Sequence, residues 1–392
     1  MQGVGTALRL SLAAAVSLGI ARFAYALLLP PMRADLQWSY TVAGALNTAN
    51  ALGYLVGALL APAAMRRLGD GRSLLLGSAA ASLGLLATAA SRDTAVLMAL
   101  RGLTGVASAL VFVSGGLLAA RLAAGAGSRG GLLLALYYGG TGFGILLAAL
   151  AVPACEALMA ARGGGPAWPL AWAVLGLACA AATLALRRPV AQVPAAAPSP
   201  AAGTPAAFRW RDFVFGLLSY AGFGIGYIGY MTFVVALLRE QGLPSAQVTV
   251  FYALLGAGVV ASSFLWSGLL QRHRSGRPMA LLNALLAVAC VLPALSAAPW
   301  AVFASGLGFG AIFLQVPGAT TALVRLNTPP AGWSGGIAAF TVVFALGQVI
   351  GPLWTGWLSD GAGLARGLVA SAAVLGLAAV LATRQRALSP AA

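Results

Sequence analysis

The sequence contains no lysine, few acidic residues and little histidine or cysteine. Of its 392 residues, seven are Asp or Glu, one is histidine and three are cysteine, so all 23 basic residues are arginine. Charged residues make up 8% of the chain, far below the share that a soluble domain needs at its surface. This scarcity excludes a soluble globular protein, and the 60% hydrophobic content excludes a disordered one.

The residue types that carry most enzyme chemistry are scattered. Cys155, Cys179 and Cys290 stand singly inside apolar runs, without metal-binding spacing or an evident disulfide pair, and we interpret them as small packing residues. No nucleophile–base set, metal cluster or ATP-binding loop is present in the sequence. The net charge of +16 comes from arginines spread between apolar runs rather than clustered on one face. We therefore expect no enzyme activity, no metal or cofactor and no nucleic-acid partner.

Long apolar runs bounded by charges, prolines or glycines fill the chain instead. A bilayer-spanning helix needs about 20 apolar residues, so these runs predict an all-α polytopic membrane protein with twelve transmembrane helices. The first run is too long for a signal peptide and begins a series of similar segments, so we expect it to be retained. The predicted helices lie near 8–31, 39–65, 72–91, 94–121, 128–154, 167–187, 211–238, 245–271, 277–297, 299–325, 332–358 and 362–383.

The longest polar interruption divides the predicted helices into six and six. It runs from Arg187 to Arg211 and contains a segment rich in Ala, Pro, Ser and Thr, which is typical of a flexible linker. We therefore predict an N-terminal six-helix bundle over residues 1–187, a cytoplasmic linker over 188–210 and a C-terminal six-helix bundle over 211–392.

Arginine is distributed unevenly between the two sets of loops. With the N-terminus inside, sixteen arginines lie on the cytoplasmic side, five lie outside, and Arg22 and Arg101 lie within predicted spans. Because cytoplasmic loops of membrane proteins are enriched in basic residues, this distribution predicts that both termini are cytoplasmic.

The two halves repeat short patterns at matching places. The link after the second predicted helix reads RRLGDGRSLLL from Arg66, and the link after the eighth reads QRHRSGRPMALL from Gln271. The fifth helix carries GGTGFG at 139–144, and the eleventh carries GQVIGP at 347–352. No strand precedes the first of these glycine runs, so it indicates close helix packing rather than a phosphate site. Paired pseudo-symmetric bundles with a site between them are the architecture of alternating-access carriers.

The chain as a whole resembles major facilitator superfamily (MFS) transporters. Within it, GIARFAYALLLPPM at 19–32 and FALGQVIGP at 344–352 resemble the YbfB/YjiJ-like bacterial branch. The resemblance implies a multi-pass carrier of the bacterial inner membrane that binds a small molecule between its two bundles. We expect its partners to be that substrate and the lipid bilayer, and we expect a monomer.

The loop between the second and third helices carries part of a superfamily motif. The motif usually reads G-x-x-x-D-R-x-G-R-R; here Arg67, Gly69 and Arg72 fit, whereas Pro62 and Arg66 replace its first glycine and its aspartate. The resemblance implies that this loop takes part in gating. The replacement removes the acid that usually holds the loop against the eleventh helix.

Three further residues are candidates for coupling or gating. Asp70 is the acid that remains in the loop and could make its contact with the eleventh helix, and Asp360 stands near that helix's end. Arg101, followed by Gly105 in LRGLTG, resembles the superfamily's helix-four motif, in which a buried arginine is often tied to coupling. The alternative for Arg101 is a packing residue that bonds neighbouring helices.

Arg22 is the foremost candidate for substrate binding. At about 1.5 Å per residue it lies about 20 Å from Arg9 and about 16 Å from Arg33, so it is deep in the membrane. An arginine there costs about 2.5–3.5 kcal/mol on insertion scales and usually faces a cavity or a partner. All seven acids fall near predicted helix ends. The planar guanidinium suits a bidentate grip on a carboxylate. The alternatives are a structural arginine bonded to carbonyls at a helix break, or a side chain that snorkels toward the outer leaflet.

Polar and aromatic residues on other predicted helices could complete the site. Asn47, Asn50 and Tyr54 share one face of the second helix, where they could bind substrate or join helices. Aromatic residues recur on one face of the seventh helix, which predicts a pocket wall or helix packing. The candidate substrate-binding residues are Arg22, Tyr25, Asn47, Asn50, Tyr54, Tyr137, Tyr227, Gln315 and Gln348.

These observations predict a secondary active or facilitative transporter of a small organic anion, and we expect that anion to be a carboxylate. The absence of a predicted deep carboxylate argues against an acidic proton relay. An efflux carrier for drugs or amphipathic metabolites is the alternative, and a non-transporting sensor on the same fold is a third possibility.

Overall fold

The computed structural model describes residues 2–193, 208–329 and 332–388. These residues form helices joined by short loops and contain no strand. Twelve helices are long and apolar enough to cross a membrane, as the sequence predicts. They are α1 (Gly3–Leu36), α2 (Tyr40–Leu68), α3 (Asp70–Ala90), α4 (Thr94–Ala124), α5 (Gly130–Ala161), α6 (Trp168–Gln192), α7 (Val214–Glu240), α8 (Ser245–Leu265), α9 (Arg277–Leu295), α10 (Pro299–Asn327), α11 (Trp333–Ala362) and α12 (Leu364–Arg384).

Several helices end at places that differ from the predicted boundaries, and the largest difference is in α5, which runs to Ala161 rather than ending near 154. α1 runs to Leu36 rather than ending near 31, and Pro30 and Pro31 lie within its last segment, since transmembrane helices tolerate proline. α6 continues to Gln192, past the predicted end of the first bundle at 187. α8 ends at Leu265, and a separate short helix follows where its last turns were predicted. Residues 194–207, most of the predicted linker, lie outside the described residues.

The twelve helices form two six-helix bundles with related packing. In the N-terminal bundle, α2 packs on α4, α3 on α6 and α1 on α5. In the C-terminal bundle, α8 packs on α10, α9 on α12 and α7 on α11. Each pair in the second bundle is the first-bundle pair moved six helices along the chain, which is the predicted pseudo-symmetry.

Three pairs of helices form most of the boundary between the bundles. α2 packs on α11, α5 packs on α8, and α1 packs on α7 between them. α1 and α7 are the most enclosed helices, since 94% and 83% of the residues in their most apolar windows are buried. Polar side chains on α1 and α7 are therefore shielded from lipid and face protein or the cleft between the bundles.

Glycines let α5 approach α1 and α8 at the same depth. A Cβ added to Gly140 or Gly144 would come within 2.0 and 2.5 Å of the α1 backbone. A Cβ on Gly142 would come within 2.4 Å of the carbonyl oxygen of Gly256 on α8. The glycine run of α5 therefore packs helices, as predicted, because only residues without a bulky side chain allow backbones to approach so closely.

Candidate functional site

α1 departs from regular helical geometry at mid-depth. Ala15–Ile20 form a π-helical turn, and regular α-helix resumes at Tyr25. A π turn changes which carbonyls have partners inside the helix, and such turns occur often at functional sites. Arg22 lies in the break between the two segments.

Side chains of α4 donate hydrogen bonds to the backbone of this break. Nη1 of Arg101 donates to the carbonyl oxygen of Ala21 at 2.8 Å, and the Ser108 hydroxyl donates to that of Ser17 at 2.5 Å. An irregular backbone at membrane depth needs such partners, because lipid offers none. Arg101 therefore supports the backbone conformation that presents Arg22.

Three predicted site residues surround Arg101, which is 1% exposed. Its guanidinium carbon lies 4.7 Å from the centre of the Tyr25 ring, and Nη2 lies 3.4 Å from Oδ1 of Asn47. The Asn50 amide donates to the Arg101 carbonyl oxygen at 3.0 Å, while Oδ1 of Asn50 has no partner among the described residues. Tyr25, Asn47 and Asn50 thus form a layer around Arg101 rather than around Arg22.

Arg22 reaches across the boundary between the bundles. Its guanidinium donates a hydrogen bond to Oε1 of Gln348 on α11, and its guanidinium carbon lies 5.0 Å from the centre of the Tyr54 ring. The residue is 4% exposed, and its Nε has no partner among the described residues. Arg22, Tyr54 and Gln348, predicted separately from three helices, therefore form one cluster at mid-depth.

Two more hydrogen bonds join the bundles near this cluster. The Asn47 amide donates to the Thr232 hydroxyl of α7 at 2.6 Å. The Tyr252 hydroxyl of α8 donates to the carbonyl oxygen of Phe23, next to Arg22. Both bundles therefore contribute groups around the break in α1.

None of the seven acidic residues, all of which the structure describes, contacts Arg22 or Arg101. Other arginines pair with Asp35, Asp70, Glu156 and Asp212. Asp93 caps the start of α4, and the start of α2 contacts Glu240 and Asp360. Two buried arginines thus lack a counter-charge from the described residues, a costly arrangement that other groups must offset.

Contacts between the bundles close one end of their boundary. The Asp360 carboxylate of α11 accepts hydrogen bonds from the backbone N–H groups of Tyr40 and Thr41 at 2.7 and 2.8 Å, and from the Thr41 hydroxyl at 2.6 Å. Arg239 of α7 pairs with Glu156 of α5 at 3.0 Å. We call this the closed end, and the opposite end, which holds most arginines, the arginine-rich end.

Aromatic rings lead from the Arg22 cluster toward the arginine-rich end. The rings of Tyr220 and Tyr227 on α7 lie 4.8 and 5.8 Å from the ring of Phe344 on α11. Tyr227 also lies 6.0 Å from Phe313, which contacts Phe23 of α1 at 5.5 Å. A cavity of about 120 Å³, lined in part by threonines of α10 and α11, lies beside Tyr220. The predicted aromatic face of α7 is therefore stacked against α11.

Two predicted binding residues lie apart from the Arg22 cluster. Tyr137 is buried in the N-terminal bundle, where its hydroxyl donates to the carbonyl oxygen of Phe112 at 3.3 Å. Gln315 lies just after a break in α10, where its amide donates to the Ser262 hydroxyl at 3.1 Å. Neither side chain bonds to the Arg22 cluster in this conformation.

The predicted gating loop joins α2 and α3 within the N-terminal bundle. Gly69 ends α2 with a positive φ of 82°, and Arg67 and Arg72 are exposed. Asp70 pairs with Arg121 of α4 at 2.5 Å. The contact that Asp70 could make with α11 is therefore not formed in this conformation, because its carboxylate is bound within its own bundle.

Comparison with known proteins identifies the family. The model described as "Uncharacterised MFS-type transporter YbfB" matches residues 14–383, which is nearly the whole chain. The chain belongs to this family of MFS-type transporters. The comparison with curated proteins gives no match. Family and fold are those of a transporter rather than an enzyme.

Solved MFS structures share the fold of this transporter. A bacterial homologue of the human lysosomal transporter Spinster, inward-facing and unoccupied, superposes with a TM-score of 0.73 at 17% identity, covering 99% of both chains. Its occupied inward-facing form superposes with a TM-score of 0.71 at 17% identity, and the match covers 98% of both chains. A mutant of the nucleoside transporter NupG superposes with a TM-score of 0.69 at 13% identity, and the match covers 95% of this chain and 98% of that one.

Several contacts of this MFS-type transporter were not predicted from its sequence. Thr41 and Asp360 are far apart in the chain, and no pattern pairs the start of α2 with the end of α11. Tyr252 and Thr232 are single polar residues in apolar helices, a signal that marks burial but does not indicate a partner. Membrane helices often use such residues to join one another.

Proposed function

We propose that this MFS-type transporter moves a small organic anion, most simply a carboxylate, which binds at Arg22. The observation that carries the proposal is the pair of buried arginines, Arg22 and Arg101, with all seven acids engaged elsewhere. Buried arginines in membrane proteins pair with opposite charges, with backbone carbonyls or with a substrate pathway. Arg101 has a carbonyl partner, whereas among the described residues Arg22 has the neutral amide of Gln348 and the ring of Tyr54, so a substrate anion supplies the missing charge.

Substrate binding would replace one neutral partner with a charged one. A carboxylate offers two oxygens to the planar guanidinium and gives charge-assisted bonds about twice as strong as neutral ones. Gln348 holds the guanidinium in place when the site is empty and then yields to the anion. Because Gln348 belongs to α11 and Arg22 to α1, this exchange would change how strongly the bundles attract each other at mid-depth. That link between occupancy and bundle contact is what alternating access requires.

The surrounding residues have separate proposed roles. Tyr54 forms the aromatic floor beside Arg22, and Arg101 positions Arg22 through the backbone of the break. Tyr227 lines the route from the site toward the arginine-rich end. Tyr137 and Gln315 would act only if the cleft changes shape during the cycle. With no acid at mid-depth among the described residues, we propose anion exchange, uniport or a protonated substrate rather than an acidic proton relay.

The uneven distribution of arginine supports an orientation. The arginine-rich end would lie in the cytoplasm with both termini, and the closed end, with Asp360, outside. The bundles over 1–187 and 211–392 would then move as two bodies about the linker over 188–210. We further propose that the transporter works as a monomer in the bacterial inner membrane.

A second candidate is export of amphipathic metabolites or drugs. The stacked rings of Tyr220, Tyr227 and Phe344 favour it, because aromatic faces bind flat apolar groups. A cationic drug would meet positive charge at Arg22. Neutral or anionic amphiphiles therefore suit this candidate better.

Ligand-induced thermal stabilisation of the purified protein tests the proposal. The panel contains mono- and dicarboxylates, cations and neutral amphiphiles, and the variants are Arg22→Gln and, as control, Arg366→Gln, whose exposed side chain lies near the start of α12. A ligand at a hundred times its dissociation constant stabilises the folded state by about 2.7 kcal/mol. We expect carboxylates to stabilise the native protein and Arg366→Gln but not Arg22→Gln. Stabilisation by cations or neutral amphiphiles alone, unchanged in Arg22→Gln, would contradict the anion site.

A further inference from the structure

A basic groove lies between α1 and α6 at the arginine-rich end. It has a volume of about 370 Å³ and is lined by Arg9, Leu184, Ala185 and Arg188. Both arginines are exposed, and neither has a hydrogen-bond or ion-pair partner among the described residues. Two guanidiniums therefore flank an apolar floor at this end of the molecule.

The groove continues into an apolar stripe on the surface of α6. Leu177 and Leu184 are each 60% exposed. Leu184 lies seven residues after Leu177, and Arg188 lies four residues after Leu184. At 3.6 residues per turn these spacings place all three on one face of the helix, and the stripe is about 16 Å long. In a membrane-spanning helix an exposed leucine faces lipid. The stripe therefore runs from the hydrocarbon of the bilayer to the charged groove at its surface.

We propose that this groove binds one anionic phospholipid, with the phosphate between Arg9 and Arg188 and an acyl chain along Leu184 and Leu177. Basic pockets between transmembrane helices recognise acidic headgroups in this way. Two guanidiniums attract a lipid with net negative charge, whereas the ammonium of a zwitterionic headgroup would be repelled by the second arginine. A free anion would leave the leucine stripe unused.

The position of the groove gives the lipid a structural effect. At the same end, the Thr6 hydroxyl of α1 donates to Oε1 of Gln192 on α6 at 3.1 Å, so a hydrogen bond between neutral groups already joins the two helices there. A phosphate held by one arginine from each helix would add a charge-assisted bridge between them. The bound lipid would thus hold α1, which carries Arg22, against α6.

The test measures lipid binding to the purified full chain by native mass spectrometry and by thermal stability. The probes are phosphatidylglycerol, phosphatidylcholine with the same acyl chains, and inorganic phosphate. The variants are Arg9→Gln/Arg188→Gln and a charge-matched control, Arg187→Gln/Arg384→Gln, which removes two exposed arginines of the same end that do not line the groove.

We expect one phosphatidylglycerol to bind and stabilise the native protein, with little effect of phosphatidylcholine or inorganic phosphate. The groove variant should bind it about tenfold more weakly or worse, since each arginine near the surface attracts acidic lipid, and the control variant should bind it as the native protein does. Equal stabilisation by phosphatidylcholine, full stabilisation by phosphate alone, or equal loss in both variants would overturn the proposal. None of these outcomes depends on the substrate that binds at Arg22.

Discussion

The guanidinium of Arg22 on α1 donates a hydrogen bond to Oε1 of Gln348 on α11, so a buried arginine of one bundle is held by an amide of the other. An amide oxygen accepts this bond but does not neutralise the charge. Arg22 therefore lacks an acidic partner among the described residues, in a setting where an uncompensated charge is costly.

Gln348→Glu should inhibit anion binding without disrupting the fold. The new carboxylate would pair with Arg22 from inside the protein and compete with a substrate carboxylate for the same guanidinium. We expect carboxylate affinity to fall by about tenfold or more, while the melting temperature without ligand stays equal or rises, because a buried charge gains a partner. Ligand-dependent thermal shifts measure both. Gln315→Glu is the matched control, since Gln315 bonds to Ser262 instead; equal losses in both variants would contradict the prediction.

Arg101→Met and Arg22→Met should affect stability in opposite ways. Arg101 bonds the carbonyl of Ala21, and losing a hydrogen bond from a charged donor costs about 1.5–3 kcal/mol. Arg22→Met also breaks the bond to the Gln348 side chain, but it replaces an unneutralised buried charge with an apolar chain of similar length, and we expect this gain to offset the lost bond. Thermal unfolding without ligand should show a lower melting temperature for Arg101→Met and an equal or higher one for Arg22→Met. The reverse order would make Arg22 the structural arginine.

Asp360→Asn should weaken the closed end. The carboxylate accepts bonds from two backbone N–H groups at the start of α2, where the helix dipole also favours negative charge. Because Asp360 is exposed and asparagine keeps one accepting oxygen, removing the charge should cost about 1 kcal/mol of closure, which is about a fivefold shift in the populations of closed and open forms.

Spin labels at Ala161 and Ala246, which are exposed on α5 and α8 near the closed end, measure this shift as a distance distribution. A longer distance in Asp360→Asn is expected. Asp212→Asn is the control, because Asp212 pairs with Arg209 in the same bundle. An unchanged distribution in Asp360→Asn would show that Asp360 does not hold the two bundles together.

Gly142→Ala should mainly impair movement between the bundles, whereas Gly144→Ala should mainly lower the stability of the N-terminal bundle. A Cβ on Gly142 meets the carbonyl oxygen of Gly256 across the boundary at 2.4 Å, whereas one on Gly144 meets the Ala15 carbonyl oxygen inside the N-terminal bundle at 2.5 Å. Both contacts are shorter than real Cβ contacts, so backbone must shift. We expect Gly144→Ala to lower the melting temperature more, and Gly142→Ala to reduce transport with a smaller loss of stability. Vesicle uptake and thermal unfolding of each variant provide the comparison, and equal effects on both measures would contradict it.

The architecture could be predicted from the amino-acid sequence. Apolar runs of bilayer length have few alternatives, because a lipid environment forces every backbone polar group into a helix or a closed barrel. The resemblance at 19–32 and 344–352 indicated the family, and the depth of Arg22 singled out its side chain before any contact was known. Tyr54 and Gln348 were also predicted, although nothing in the sequence showed that both would meet Arg22.

The partners that Arg22 and Arg101 contact depend on the tertiary structure. A helical period places Arg101 on one face of α4 but does not reveal the π-helical turn in α1, nor that the carbonyl oxygen of Ala21, just after this turn, accepts a hydrogen bond from Arg101. The turn packs against α4 and α5, which lie far along the chain from it. The same holds for Asp360, whose partners on α2 are far away in the chain. Contacts between the bundles are set by the fold as a whole, because each depends on how twelve helices pack together.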